Sequence, residues 1–337
     1  MRTSFFVFEH WQRTVSGARG TRRPAITDSE RGPDMPHGHT RRIRCDADDG
    51  DSMSVLRAGP HEIDLSTPCV MGILNVTADS FYDGGRLDRD AAIAHAERMV
   101  TDGARIVDVG GESTRPDATP VDEAEELRRV IPLVEMLARS NVCVSVDTMK
   151  PGVMRAALDA GASMINDVRA LQAPGALDAV VASNAAVCLM HMQGEPQTMQ
   201  RAPAYADVTA EIRAFLARRA QACRDAGMAQ DRIVVDPGFG FGKSIAHNLD
   251  LLRNLDAITT LGYPVLAGLS RKSTLGAITG RDVGERLAAS IAVMLAAVAR
   301  GARIVRVHDV AETVDALAVW NAVDPWPTQR RERWMEQ

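Results

Sequence analysis

The sequence predicts a TIM (β/α)8 barrel preceded by a disordered N-terminal extension, and three observations carry that expectation. Eight short runs rich in β-branched and apolar residues alternate with longer amphipathic stretches across residues 55–323, the pattern of repeated βα units on a parallel sheet. From Asn75 to His308 the repeat averages about 33 residues, enough for one strand, one helix and their turns. Each run also ends in or beside a polar residue, as barrel strands do when their C-terminal ends converge on one catalytic face. A doubly wound open sheet is the competing architecture, but it usually carries a glycine-rich loop after its first strand, and none is seen here.

Taken in order, residues 1–54 differ from the rest. Residues 1–44 hold nine arginines against Glu9, Asp28, Glu30 and Asp34, residues 45–54 turn acidic, and no hydrophobic periodicity runs through either part. The SFFVF stretch is too short for a secretory h-region, and the acids break the pattern of an organellar transit peptide. A tail is expected here, with Met53 a candidate start of the folded chain. The eight strands are expected in CVMGILNVT (69–77), RIVDVGG (105–111), VCVSVDT (142–148), SMINDV (163–168), AVCLMHM (186–192), IVVDPG (233–238), PVLAGLS (264–270) and RIVRVHD (303–309). Several of the helices between them close on Gly-Ala just before the next strand, which is helix C-cap chemistry. The apolar run 287–299, broken only by Ser290, falls short of the ~20 residues of a membrane span and is expected as a core helix. Residues 324–337 are expected as a C-terminal tail.

Composition narrows the function classes. Hydrophobic residues are 45% of the chain and aromatics only 4%, so the core must be built from Ala, Val, Leu, Ile and Met. A formal net charge of −5 argues against nucleic-acid or membrane-surface partners. Five cysteines without a close pair give neither a disulfide framework nor a zinc knuckle, and indicate a reducing, cytoplasmic setting. The bases are skewed: 36 arginines stand against three lysines, Lys150, Lys243 and Lys272.

The strand ends divide into two sets. Asp147, Asn166, Asp236 and Lys272 offer carboxylate acceptors, an amide and one ammonium, a mixture suited to a flat heterocycle with several N–H donors, such as a guanine-like or pterin edge. A structural Asp236–Lys272 salt bridge is the competing reading. Asn75, Thr114, Arg115, Arg306 and His308 suit a multiply charged anion such as a diphosphate, because guanidinium forks match phosphate oxygens. Asn75 can give magnesium one oxygen ligand while phosphate and water fill the others. PGFGFGKS (237–244) is no phosphate loop, since Pro237 stands where the first glycine is required; its glycines are expected to let the backbone pass close to a ligand, with Phe239 and Phe241 packing on something flat. His191 has no partner at metal spacing and is expected as a satisfied core or rim histidine.

MGILNVTADSFYDGG (71–85) and DVGGESTRP (108–116) closely resemble the two signature stretches of dihydropteroate synthases. SVDT (145–148), IND (165–167), LMHMQG (189–194), DPGFGFGK (236–243), SRKS (270–273) and RVHD (306–309) match the same family in the same order. The resemblance implies condensation of 6-hydroxymethyl-7,8-dihydropterin diphosphate with 4-aminobenzoate, with Mg2+ as cofactor and a homodimer as the assembly. It implies a pterin pocket of Asp147, Asn166, Val168, Met190, Asp236, Gly268 and Lys272, and a diphosphate site of Asn75, Thr114, Arg306 and His308 with the metal on Asn75. It further implies an aminobenzoate site of Phe81, Arg115, Pro116, Phe241 and Ser273, and a part for Asp83 near a pterin-stabilised cation. A pterin-dependent methyltransferase-like barrel and a non-catalytic pterin-binding paralogue are the alternatives, and the anion set argues against both. Ala78, Tyr82 and Asp117 replace the proline, serine and glycine usual in the family loops. Asp117 beside Arg115 is expected to weaken the arginine's pull on a carboxylate and to alter inhibition by sulfonamides, which mimic aminobenzoate; equal inhibition constants for Asp117→Gly and the unmodified chain would count against this.

Overall fold

The computed structural model describes residues 54–76, 82–83, 86–87, 89–113 and 119–323. Of the expected tails, 1–54 and 324–337, all but Ser54 lies outside that description. Eight parallel strands close into a barrel: β1 (Cys69–Asn75), β2 (Ile106–Gly110), β3 (Val144–Asp147), β4 (Met164–Asp167), β5 (Ala186–Met190), β6 (Ile233–Asp236), β7 (Val265–Ala267) and β8 (Ala302–Val307). Each pairs with its neighbours in sequence, and β8 closes on β1 through Arg306 opposite Met71. All eight expected runs supply the strands. The register also sets a row across the upper rim, with Asn75 opposite Gly110, Gly110 opposite Asp147, and Asp147 opposite Asn166.

The longer helices among the described residues are α1 (Arg89–Thr101), α2 (Glu123–Arg139), α3 (Pro151–Asp159), α4 (Ala176–Val181), α5 (Val208–Asp225), α6 (Ile245–Arg253), α7 (Ser273–Thr279), α8 (Leu287–Val298) and α9 (Val310–Val323), and a single turn, Asp256–Thr259, follows α6. Local chemistry starts several of them. Asp122 accepts the Glu125 N–H at the head of α2, whose first turn holds Glu123, Glu125 and Glu126, the charge favoured at a helix N-terminus. Pro151 opens α3, and Ser244 with His247 forms a reciprocal capping box on α6.

A hairpin of Val55–Ala58 and His61–Asp64 closes the N-terminal end of the barrel. Its Leu56, Ala58 and Ile63, followed by Leu65, join one apolar cluster with Met71, Ile106, Met164, Cys188, Val234, Leu266 and Ile304 from the lower barrel interior. That plug leaves the opposite end for chemistry.

Helix α8 departs from its expectation. Only Ser290, Met294, Ala297 and Val298 of its residues are buried, so the apolar run packs one face on the barrel and is not a fully enclosed core helix. A barrel helix meets the sheet along one stripe only, and small alanines elsewhere in α8 raise the hydropathy without requiring burial. Among the described residues Cys69, Cys143, Cys188 and Cys223 are buried free thiols, and Cys45 lies outside them.

Candidate active site

Strand side chains alternate between the interior of a barrel and its outside, so parity along each strand decides what enters. The inward positions are Met71, Ile73 and Asn75 on β1, Ile106 and Asp108 on β2, Ser145 and Asp147 on β3, and Met164 and Asn166 on β4. They continue with Cys188 and Met190 on β5, Val234 and Asp236 on β6, and Ile304 and Arg306 on β8. Low positions are apolar and meet the hairpin; high positions are polar. Val168, Gly268 and His308 continue the same parity just past their strands.

Arg306 is the hub. Its Nε donates to Asp108 Oδ2 at 2.6 Å and its Nη2 to Asp147 Oδ2 at 3.0 Å, so the guanidinium bridges two strands across the barrel. Asn166 Nδ2 donates to the same Asp108 oxygen at 3.0 Å. Burial works against the charge on Arg306, and the two carboxylates outweigh it, holding the guanidinium above its ordinary value. Burial pushes Asp147 up to about 7 in spite of Arg306, with Asp108 adding to the rise. Asp108 Oδ1 and Asn166 Oδ1 are buried without a protein donor, so the cluster carries acceptor capacity that Arg306 leaves unused.

Asp236 approaches from the opposite wall. Its Oδ1 accepts the Gly238 N–H at 2.7 Å, and burial pushes the carboxyl up to about 6 against that bond and the attraction of Lys272, Lys243 and Arg306. Lys272 stands at the N-cap of α7 with its Nζ 4.2 Å from the centre of the Phe241 ring, a cation–π contact. The turn that presents it is pinned from three sides: Arg271, left-handed at φ 57, pairs with Asp309, donates its N–H to Ser290 Oγ, and gives its carbonyl to Arg286. Ser273 is the first residue of α7. Ser270 Oγ lies 3.0 Å from His308 Nδ1, which fixes the imidazole at the rim.

The glycine loop behaves differently from its expectation. Gly238 has φ 69, and a Cβ there would lie 1.9 Å from the His191 carbonyl oxygen; at Gly242, φ 59, it would lie 2.5 Å from that of Gln193. These glycines therefore let two protein backbones pass, rather than admitting a ligand. Phe239 is buried in the outer core, and Phe241 alone of the pair remains half-buried beside Lys272. His191 is a core histidine as expected: it is buried, meets Phe215 edge-on at 4.9 Å, and is pushed down to about 3 by burial and by Lys243. Lys150 pairs with Glu112 and the buried Glu126, tying the loop after β2 to α2.

An inward ring of acids, amide and arginine over a plugged barrel is a site for a nitrogen-rich ring, and comparison with known proteins agrees. Residues 71–308 match the family described as pterin binding enzyme. The chain is 51% identical over 262 residues to the dihydropteroate synthase of Haemophilus influenzae, covering 77% of this chain and 95% of that protein. It is 50% identical to the Escherichia coli enzyme, covering 77% and 93%. The chain belongs to the dihydropteroate synthase family. Among solved dihydropteroate synthases, that of Burkholderia cenocepacia complexed with 7,8-dihydropteroate superposes with a TM-score of 0.75 at 53% identity, covering 82% of this chain and 99% of that one. That of Xanthomonas albilineans with 4-aminobenzoic acid gives 0.77 at 52% identity, covering 82% and 100%. That of Yersinia pestis in a sulfonamide drug complex gives 0.76 at 48% identity, covering 80% and 98%.

Within this dihydropteroate synthase fold, Asn75, Asp147, Asn166, Asp236, Arg306 and His308 come from five strands and one strand end to a single mouth, with Lys272, Gly268 and Phe241 on the loops beside it and Ser273 at the start of α7. Phe81, Thr114, Arg115 and Pro116 lie outside the described residues, as do Ala78 and Asp117. Of Asp83 and Tyr82 only the backbone is described, in a two-residue strand paired with Arg86–Leu87. Asp108, on the inward face of β2, belongs to the site although neither expected set of strand-end residues contains it. Its parity with Ile106 was the signal that could have found it.

Proposed function

We propose that this chain condenses 6-hydroxymethyl-7,8-dihydropterin diphosphate with 4-aminobenzoate to give 7,8-dihydropteroate and diphosphate. One observation carries the reading beyond family membership: the Asp108–Arg306–Asp147 bridge sits between a wall of acceptors for a pterin edge and the rim residues Asn75 and His308. In this reading Asp147, Asn166, Asp236 and Lys272 hold the pterin, with Val168, Met190 and Gly268 around its faces. Arg306 and His308 face the diphosphate with Asn75 and Thr114. The carbon–oxygen bond to diphosphate breaks as the pterin's conjugated ring takes up positive charge, and the arylamine nitrogen then attacks that carbon. Asp147 and Asp236 favour the developing cation, while Arg306 and His308 stabilise the leaving anion. Departing diphosphate is basic enough to receive the arylamine proton. Phe81, Arg115, Pro116, Phe241 and Ser273 would receive the aminobenzoate, and Asp83 would lie near the cation.

Magnesium fits Asn75. Asn75 ends β1 at the rim opposite Gly110, which in turn lies opposite Asp147, and its side-chain amide oxygen is the kind of hard donor that magnesium takes. Among the described residues no three His, Cys, Asp or Glu side chains gather as a metal cage, and magnesium bound by one protein oxygen takes its other ligands from phosphate and water. When bound it would neutralise charge on the departing diphosphate.

Exposed Val319 (65%) and Val323 (81%) on α9, with Leu287 on α8, support a homodimer through this face. Buried free thiols support a cytoplasmic enzyme, and among the described residues no helix is long and apolar enough to cross a membrane. The decisive experiment mixes the purified protein with the pterin diphosphate, 4-aminobenzoate and Mg2+ and measures dihydropteroate; a folded protein that forms none sinks the reading.

A further inference from the structure

Lys243 is only 2% exposed, yet it ends the loop that carries Phe241. Its Nζ donates to the carbonyl oxygens of Gly238 at 2.8 Å, Phe241 at 2.9 Å and His191 at 3.4 Å, and lies 3.1 Å from His191 Nδ1. Three backbone carbonyls and an imidazole nitrogen thus surround one amine, which burial pushes down to about 7 against the attraction of Asp236 and which donates to the carbonyls whether or not it is charged. The carbonyls converge because Gly238, Gly240 and Gly242 take φ 69, 80 and 59, angles that side chains other than glycine rarely adopt. Without the amine, these oxygens would face one another in a space closed to water, an unfavourable state for the turn.

The outer face of the same turn is the site. Phe241 lies beneath the Lys272 amine, and a Cβ on Gly240 would meet Lys272 Cδ at 3.2 Å, so the path of the turn sets where Lys272 can stand. The Phe241 N–H closes the turn on Gly238 O, and the Gly240 N–H is held by Asn248 Oδ1 at 2.7 Å. We propose that Lys243 is a positioning residue for the condensation: its amine acts as a tethered donor that folds the 238–243 turn and thereby fixes Phe241 and, through it, Lys272. The part played by Phe241 in holding the arylamine rests on the function proposed above; the part played by Lys243 in holding the turn does not.

The test replaces Lys243 with the apolar, similarly long methionine. By amide hydrogen exchange, Lys243→Met should lose protection at Phe241 and Gly240 by about tenfold or more, the range of a lost hydrogen bond, while β1 to β8 keep theirs. The KM for 4-aminobenzoate should rise about tenfold with kcat changed far less, and in a Phe241→Ala background the same substitution should add less than about twofold, because its effect passes through that ring. Unchanged exchange at Phe241, or a KM penalty that multiplies fully with that of Phe241→Ala, overturns the proposal. If the unmodified chain makes no dihydropteroate, the functional reading fails while the exchange result still decides the role of Lys243. Should Lys243→Met not fold, Lys243→Gln, which keeps two N–H donors, is measured in the same way, with partial loss of protection expected and full retention counting against the idea.

Discussion

Replacing Asp236 with asparagine should stabilise the ligand-free protein at neutral pH while weakening its pterin affinity. Asp236 is 5% exposed, and burial holds its carboxyl near 6 instead of the model-peptide value of 3.8. A folded-state value above the unfolded one means that the folded chain holds its proton longer. The native state therefore loses stability as pH rises from about 4, and the loss is complete above about 6. At 1.36 kcal/mol per pH unit, that difference is about 3 kcal/mol once both forms are ionised. Asparagine is isosteric, keeps an oxygen to accept the Gly238 N–H at 2.7 Å, and carries no charge to desolvate. Urea unfolding of both proteins should give Asp236→Asn an advantage of about 3 kcal/mol at pH 8, shrinking toward pH 4.5 as the wild-type carboxyl stays protonated. Calorimetry should show pterin binding weakened by at least about tenfold, since an ionised acceptor is replaced by a neutral amide. A variant no more stable than the parent at pH 8, or one whose advantage does not vary with pH, would refute the argument that burial and not pairing governs this acid.

Two further substitutions probe geometry. Lys272→Arg keeps the charge, but the planar guanidinium must replace a compact ammonium between Phe241 and Gly240, so turnover is expected to fall by about tenfold or more; near-normal steady-state activity would show the lysine to be interchangeable. Gly238→Ala places a methyl 1.9 Å from the His191 carbonyl oxygen at a left-handed φ, and should lower stability by about 3 kcal/mol or more, read as a fall in the urea midpoint.

The architecture was legible because period and punctuation agree in this chain. The eight runs that β-branched residues mark out are the eight strands, and the polar residue at each run's end lies where the strand leaves the barrel. Patterning carries that much because a parallel strand buried on both faces leaves a continuous apolar run in the sequence. What pattern does not carry is which polar groups partner one another. The sequence suggests Arg306 as a group for phosphate alone, and three-dimensional closure gives two of its nitrogens to Asp108 and Asp147, residues 198 and 159 positions away. The glycine pattern of 237–244 suggests room for a ligand, whereas the space at Gly238 and Gly242 is taken by the backbone of His191 and Gln193 and that at Gly240 by the Lys272 side chain. The run at α8 was read as core because hydropathy sums composition and not contact; alanine tolerates either side of a helix surface.

The scarcity of lysine has a chemical consequence. In the whole chain only three side-chain amines exist. Glu112 and Glu126 outweigh burial at Lys150 and keep its amine protonated and unreactive, and the amine of Lys243 is shut away among carbonyls. An acylating or carbonyl reagent that ordinarily scatters over a protein surface would here find its accessible side-chain target at Lys272, within the mouth of the barrel. Labelling of the side-chain amines, counted apart from the α-amine, thereby reports on the mouth of the barrel and not on the surface at large.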